Sequence, residues 1–185
     1  MSPDKLSKAN ILAALDRLNE LLHEKGVMGE LCIFGGAAMV LAFDARESTR
    51  DVDAVFVPKY EIYQAAERIA MDMNIPASWL NDAVKGFVSG EGDLTEEGMP
   101  QWENLHILRP TTHYLLAMKC MAARVADYDT VGDKNDIIHL CRDLDIYTTA
   151  EILNIVEDYY PITRIPVKTQ YFIEELVEEM KGTIS

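Results

Sequence analysis

The sequence predicts an α+β fold in which an α/β half is followed by an all-helical half. Up to about residue 110, short β-branched or apolar runs alternate with segments of helical period. Beyond that point only helical patterns follow. The 49% hydrophobic and 26% charged residues are ordinary for a globular protein. We predict an α/β core over residues 1–110 and a helical part over residues 111–185, packed on the core as one structural unit.

The first half begins with an amphipathic helix. Its leucines recur close to every 3.6 residues, and Gly26 follows where a C-cap glycine belongs. Apolar runs punctuated by glycine and proline then predict the next elements. In order, we expect a helix at Asp4–Lys25, a strand at Leu31–Phe34, a helix at Ala37–Phe43, a strand at Val52–Val57 and a helix at Tyr60–Met73.

A long acidic connection precedes the last strand. Ser78–Val84 is compatible with a short helix. Ser89–Glu103 then holds three glycines, five acids and no base, which favours a mobile solvated loop or hairpin over an active-site lid. After a strand at Asn104–Leu108, we expect helices at Thr111–Ala126, Asp133–Leu144, Thr149–Tyr159 and Lys168–Lys181.

Charge and composition narrow the possible partners. The net charge is −14, from 31 acidic and 17 basic residues, so autonomous DNA binding is not expected. The longest apolar run is shorter than a bilayer span, and we expect no membrane partner. Three well-separated cysteines in apolar surroundings suit reduced thiols. Together with an N-terminus that lacks an apolar signal core, they predict a cytoplasmic location.

The segment CIFGGAAMVLAFDARESTRDVDAVFVP, residues 32–58, contains a pair of aspartates at the start of an apolar strand. Residues two apart in a strand face the same side, so Asp51 and Asp53 project together. At about 4 Å apart, two carboxylates repel by about 4 kcal/mol at an effective dielectric near 20. A divalent cation offsets that repulsion, and Mg²⁺ in proteins is held by one or two carboxylates, waters and substrate phosphates.

The same segment places Gly35 and Gly36 between a strand and a helix. Glycines there let backbone amides approach an anion. Each motif also has a purely structural interpretation. The glycines can form a tight turn, and the aspartates can be a solvated strand end near Arg46 and Arg50.

A lysine in the helical half also stands out. Lys119 lies in a segment that is apolar on nearly all sides, where lysine is tolerated only if it is paired or reaches a pocket. Asp133 and Asp136 open the next helix on one face. Either a buried salt bridge to Asp133 or Asp136 or a phosphate-facing position explains Lys119, and the two are compatible. Helix capping is the structural alternative for the two aspartates.

Taken together, these motifs resemble those of the nucleotidyltransferase superfamily. The order strand, glycine pair, helix, loop and same-face aspartates is the basis of the resemblance. The sequence is most similar to the AbiEii-type, uncharacterised nucleotidyltransferase-like proteins, in which "GGAAM…R.STRDVDAV" would be the first two motifs. "PTTHYLLAMKCMAAR" and "GDKNDIIHL" are similar to that group's later motifs.

The resemblance implies a mixed β-sheet with flanking helices, followed by a C-terminal helical bundle. It also implies Mg²⁺-dependent, or Mn²⁺-dependent, transfer of a nucleoside monophosphate from a nucleoside triphosphate to a hydroxyl of RNA, protein or a small molecule. A catalytically inactive nucleotide- or protein-binding module on the same scaffold is the alternative. The nucleotidyltransferase function further suggests the toxin component of a toxin–antitoxin system, with a protein antitoxin as partner.

Residue roles follow from the same resemblance. Asp51 and Asp53 would hold the metal, with Glu103 or Asp136 as a third ligand. Asp136 would otherwise accept a proton. The nucleotide would contact Gly35, Gly36, Arg46, Arg50 and Lys119.

Overall fold

A computed structural model of the protein describes residues 5–83, 92–123 and 130–182. The chain divides into two compact units, Met1–Gly86 with Leu94–Arg109 and Phe87–Asp93 with Pro110–Ser185. Across the described residues, seven α-helices and a mixed five-stranded sheet confirm the α+β prediction. No helix in these ranges has the length and apolar character needed to cross a membrane.

The first unit contains three helices and seven strands in its described residues. In chain order they are β1 (Leu6–Ser7), α1 (Lys8–Glu24), β2 (Gly29–Ile33), α2 (Gly35–Leu41), β3 (Ser48–Thr49), β4 (Val52–Val57), α3 (Lys59–Met73), β5 (Leu80–Asn81), β6 (Leu94–Thr95) and β7 (Leu105–Pro110).

The main sheet has the strand order β5-β4-β2-β7-β6. Strand β2 is antiparallel to β4, with Ile33 opposite Ala54, and parallel to β7, with Gly29 opposite Leu105. Strands β4 and β5 run parallel. The short β1 and β3 form a separate antiparallel pair. The N-terminal end of β4 therefore lies beside the C-terminal end of β2.

The two faces of the sheet differ in burial. On one face the side chains of β2, β4 and β7 are almost fully buried; they are Leu31, Ile33, Val52, Ala54, Phe56, Leu105 and Ile107. Helices α1 and α3, which pack against each other, each bury an apolar stripe. The opposite face carries Glu30, Asp53 and His106, which are exposed or half-buried. This alternation leaves one side of the sheet available for polar groups.

One prediction for the connection after α3 needs correction. The segment Ser78–Val84 does not begin as a helix, because Leu80–Asn81 forms edge strand β5. The cause is tertiary: the Trp79 carbonyl accepts a hydrogen bond from Val52 N at 2.6 Å and draws the chain alongside β4.

The acidic connection, predicted to be a mobile solvated loop or hairpin, contains a strand beside β7 and a buried side chain in its described part. Of Ser89–Glu103, residues 92–103 are described and include β6. Met99 is buried, and the Gln101 side chain bonds both backbone groups of Ile107, at 2.6 and 3.0 Å. The side-chain amide thereby pairs with the backbone of β7 as a neighbouring strand would.

The second unit is helical in its described residues. Its elements are α4 (Thr112–Ala122), α5 (Thr130–Asp143), α6 (Thr149–Tyr159), a 3-10 turn (Ile162–Arg164) and α7 (Val167–Gly182). Helix α4 is central: it packs on α5, α6 and α7, and every residue from Tyr114 to Cys120 is buried. Thr111 and Thr148 cap α4 and α6 through side-chain oxygens that accept a backbone N–H.

Candidate functional site

The two aspartates of the DVD motif project from the polar side of the sheet. Val52 and Ala54 are fully buried, whereas Asp53 is half-buried on the opposite side. Asn81 of β5 is paired with Asp53 and therefore shares its face. The Asp51 carboxylate accepts a hydrogen bond from that asparagine. Both carboxylates therefore lie on one face at the N-terminal end of β4.

The glycine turn, Gly35 and Gly36 at the start of α2, lies directly beside Asp53. The Phe34 backbone N–H donates to the Asp53 carbonyl oxygen at 2.8 Å, which joins the two segments. Gly35 follows with a φ of +60°, a conformation that favours glycine, and a Cβ on it would lie 3.4 Å from Asp53 Oδ2. The structure thus brings the first glycine and the second aspartate into contact distance.

Gly36 is crowded by β3 and by the first arginine of the loop. A Cβ on Gly36 would lie 2.6 Å from Thr49 Oγ1 and 3.4 Å from Arg46 Nη1. Side chains do not tolerate the shorter of these approaches, so residue 36 has to be glycine for Thr49 to stay where it is. Arg46 is therefore next to the glycine turn.

Asp51 sits in a different environment from Asp53. Burial raises the pKa of its carboxyl above the ordinary aspartate value, while the Asn81 hydrogen bond and the charge of Arg50 lower it in part. The Asn81 Nδ2 to Asp51 Oδ2 distance is 3.0 Å. Arg50 thus lies close enough to Asp51 to favour its charged form.

In the second unit, Lys119 forms the predicted ion pair. Its Nζ lies 3.0 Å from Asp133 Oδ1 and 2.5 Å from Asp136 Oδ2. The Lys119 and Asp136 side chains are only 7% and 1% exposed. The three charges therefore join α4 to α5. A phosphate-facing role for Lys119 stays a prediction.

Glu103 does not reach the paired aspartates. It precedes Asn104, whose carbonyl accepts from Gly29 N at the start of β2, and Leu105 is paired with Gly29. Asp53 lies at the level of Phe34, about 16 Å further along the strand at about 3.3 Å per residue. The expectation of Glu103 as a third ligand is corrected by this register. Asp136 belongs to the second unit.

The donors at the end of β4 fit a hard divalent cation. Among the described residues no group of three His, Cys, Asp or Glu side chains is arranged to hold a metal. Mg²⁺ does not need one, since one or two carboxylates suffice when waters and substrate phosphates complete its shell. Asp51 and Asp53 are the residues that would hold it, and the missing side chain of Gly35 leaves space next to Asp53.

Comparison of the chain with models of protein families, with curated proteins and with solved structures found no match.

Two residues at this site were missed by the sequence reasoning. Thr49 fills the space in front of Gly36, and Asn81 binds Asp51 from the neighbouring strand. Thr49 lies two residues before Asp51, so the sequence already placed it close to the aspartate pair. Asn81 gave no local signal because it reaches Asp51 only through strand pairing, 30 residues further along the chain.

Proposed function

We propose that the protein is a metal-dependent nucleotidyltransferase that moves a nucleoside monophosphate from a nucleoside triphosphate to a hydroxyl acceptor. The observation that carries the proposal is the placement of Asp53 beside Gly35, with Asp51 on the same face. Two carboxylates next to a side-chain-free turn suit a cation together with a polyphosphate.

The proposed reaction is an in-line displacement at the α-phosphorus. The acceptor oxygen forms a bond to that phosphorus, the bond to the bridging oxygen breaks, and pyrophosphate leaves. The hydroxyl proton passes to a nearby base or to water. Mg²⁺ or Mn²⁺, when bound, supplies charge neutralisation at the phosphate oxygens.

The residues divide these tasks. Asp51 and Asp53 are the residues that would hold the cation, which would supply charge neutralisation at the nucleotide phosphates. Gly35 and Gly36 leave room for the triphosphate, and Arg46 adds positive charge beside the turn. Contact of Lys119 with triphosphate oxygens, and proton transfer or metal support by Asp136, stay predictions from the resemblance.

The test uses nucleoside triphosphates labelled separately at the α- and γ-phosphates. The full chain is incubated with each, with Mg²⁺ or Mn²⁺, and with total RNA, mixed protein or hydroxyl-bearing small molecules as acceptors. Nucleotidyl transfer moves the α-label to the acceptor and releases the γ-label in pyrophosphate. Transfer of the γ-label alone would identify a different reaction and refute the proposal.

Substitutions that remove one carboxylate charge at a time test whether the activity belongs to the site of Asp51 and Asp53. Asp51→Asn and Asp53→Asn should each reduce transfer by about 100-fold or more, because they weaken metal-mediated charge stabilisation. Glu103→Gln makes the same chemical change at the other end of the sheet and should leave transfer unchanged. Full activity in Asp53→Asn would exclude this site.

A second candidate is a module on the same scaffold that binds nucleotide or protein without turnover. It is favoured by the ion pair of Lys119 with Asp133 and Asp136, which employs all three charges in joining two helices. Saturable nucleotide binding with no label transferred to any acceptor would support this candidate.

The net charge of the protein bears on its biological partner. A net charge of −14 favours a basic or neutral protein partner over unaided binding of RNA. A role as the toxin of a toxin–antitoxin system, held inactive by a protein antitoxin, agrees with that charge.

A further inference from the structure

Asn81 is the last residue of edge strand β5 and the neighbour of both aspartates. It is paired with Asp53 in the parallel ladder, and its Nδ2 donates to Asp51 Oδ2 at 3.0 Å. A neutral amide thus binds one oxygen of a carboxylate assigned to metal binding. Unlike a lysine or an arginine, the amide adds no positive charge of its own beside the carboxylate.

The orientation of this amide is determined locally. The Ala83 backbone N–H donates to Asn81 Oδ1 at 3.0 Å. Because the oxygen end is engaged by Ala83, the NH₂ end has to face Asp51. The side chain therefore cannot reverse its two ends without losing both hydrogen bonds.

The strand that carries Asn81 is itself anchored to the core. Trp79 is fully buried, and its indole Nε1 donates to the Ala66 carbonyl of α3 at 3.0 Å. The Trp79 carbonyl accepts from Val52 N. A chain of contacts from α3 through Trp79 to Asn81 thus connects the Asp51 carboxylate to the core.

From this arrangement we propose that Asn81 is a positioning residue that makes Asp51 a one-oxygen ligand and thereby selects Mg²⁺ or Mn²⁺ over Ca²⁺. The inference rests on the proposed function, in which Asp51 holds a cation. Within the described residues, Asn81 is the hydrogen-bond donor to Asp51, and it engages Oδ2. In this inference Oδ1 is the oxygen assigned to the cation. Mg²⁺ takes carboxylates through one oxygen in a tight octahedron, whereas Ca²⁺ accepts two-oxygen binding at longer distances.

The test measures cation binding and does not depend on catalysis. Mn²⁺ binding to the full chain is followed by electron paramagnetic resonance, and Mg²⁺ and Ca²⁺ are then titrated as competitors, with nucleotide absent and present. Asn81→Ala should weaken Mn²⁺ and Mg²⁺ binding by about 10- to 100-fold, the usual effect of losing an outer-shell partner. Ca²⁺ binding should weaken much less, so the Mg²⁺/Ca²⁺ selectivity falls.

Two further variants separate positioning from damage to the fold. Asp82→Asn removes the charge of the next residue, which pairs with Lys59 at 2.8 Å, and should leave the selectivity unchanged. Asn81→Ser keeps a hydroxyl donor and should recover part of the selectivity. Thermal melts of all variants show whether the fold is intact.

Equal loss of Mg²⁺ and Ca²⁺ affinity, or no loss, in folded Asn81→Ala would overturn the inference and leave the proposed function standing. If the wild-type chain binds no cation with or without nucleotide, the inference and the metal-dependent function both fail.

Discussion

Gly35 combines a backbone requirement with a place beside Asp53. Its φ of +60° disfavours any other residue, and a side chain would project toward the Asp53 carboxylate. The chain offers a matched reference in Gly26, which has a φ of +65° and where a Cβ would project into open space among the described residues. Comparing the two separates the backbone cost from the effect on the site.

We expect Gly35→Ala and Gly26→Ala to destabilise the protein by a similar amount, about 1 kcal/mol each, since both force alanine into the left-handed region. Only Gly35→Ala should weaken Mn²⁺ and nucleotide binding. Urea unfolding and calorimetric titration measure the two effects. Equal binding in both variants would show that the turn does not border the ligand.

At the scale of elements, Lys119 joins α4 to α5 through a buried ion pair. We expect Lys119→Met to reduce the free energy of unfolding by about 3 kcal/mol or more, because it leaves the buried Asp136 carboxylate without its cation. Lys134→Met serves as the control. Lys134 pairs with Glu179 at a more exposed position, so its loss should cost under about 1 kcal/mol.

The same comparison tests the role of the pair. Chemical denaturation gives the free energies, and Lys119→Met/Asp136→Leu should recover part of the lost stability because no buried charge remains. If Lys119→Met unfolds like Lys134→Met, the pair does not hold the helices together.

A histidine ties three strands of the first unit. His106 Nε2 lies 2.8 Å from Glu96 Oε1, just after β6, and its Nδ1 lies 3.4 Å from Glu30 Oε2 on β2. The hydrogen bond with Glu96, followed by that with Glu30, raises the pKa of His106 above 6.5. Its contribution to stability is therefore fully present below pH 6.5 and is lost as pH rises through the folded-state pKa.

We expect Glu96→Gln to lower the pKa of His106 toward the ordinary value, as followed by NMR titration of the imidazole protons. Glu97→Gln changes an adjacent exposed acid and should leave that pKa where it is in the wild type. The assignment of Glu96 as the main partner is wrong if the two variants titrate alike.

The long elements of this fold were predictable because each has a clear local period. Val52–Val57 and Thr149–Tyr159 have the predicted bounds, and the DVD motif alone placed two carboxylates on one face. Elements that exist through pairing were missed. β1, β3 and β5 are each two residues long. β5 lies beside β4 because the Trp79 carbonyl accepts a hydrogen bond from the Val52 backbone N–H. Asn81 was missed for the same reason, and Glu103 was misplaced because strand register is not visible in one segment.

At the scale of the whole molecule, the acidic excess sets a general electrostatic property. A net charge of −14 means that like charges repel across the folded surface. We expect the melting temperature to rise as potassium chloride is increased from about 0.01 M to about 0.2 M, because salt screens this repulsion. Scanning calorimetry measures it. A melting temperature that falls over this range would show that attractive ion pairs dominate.

The two tryptophans, Trp79 and Trp102, both belong to the first unit. Trp79 is fully buried, and the Trp102 indole donates to Asp16 at 3.0 Å. Tryptophan fluorescence, excited at the red edge of indole absorption, therefore reports on the first unit alone. Far-ultraviolet circular dichroism also detects the helices of the second unit. The chain thus carries a natural optical label by which the melting of one unit can be followed separately from the other.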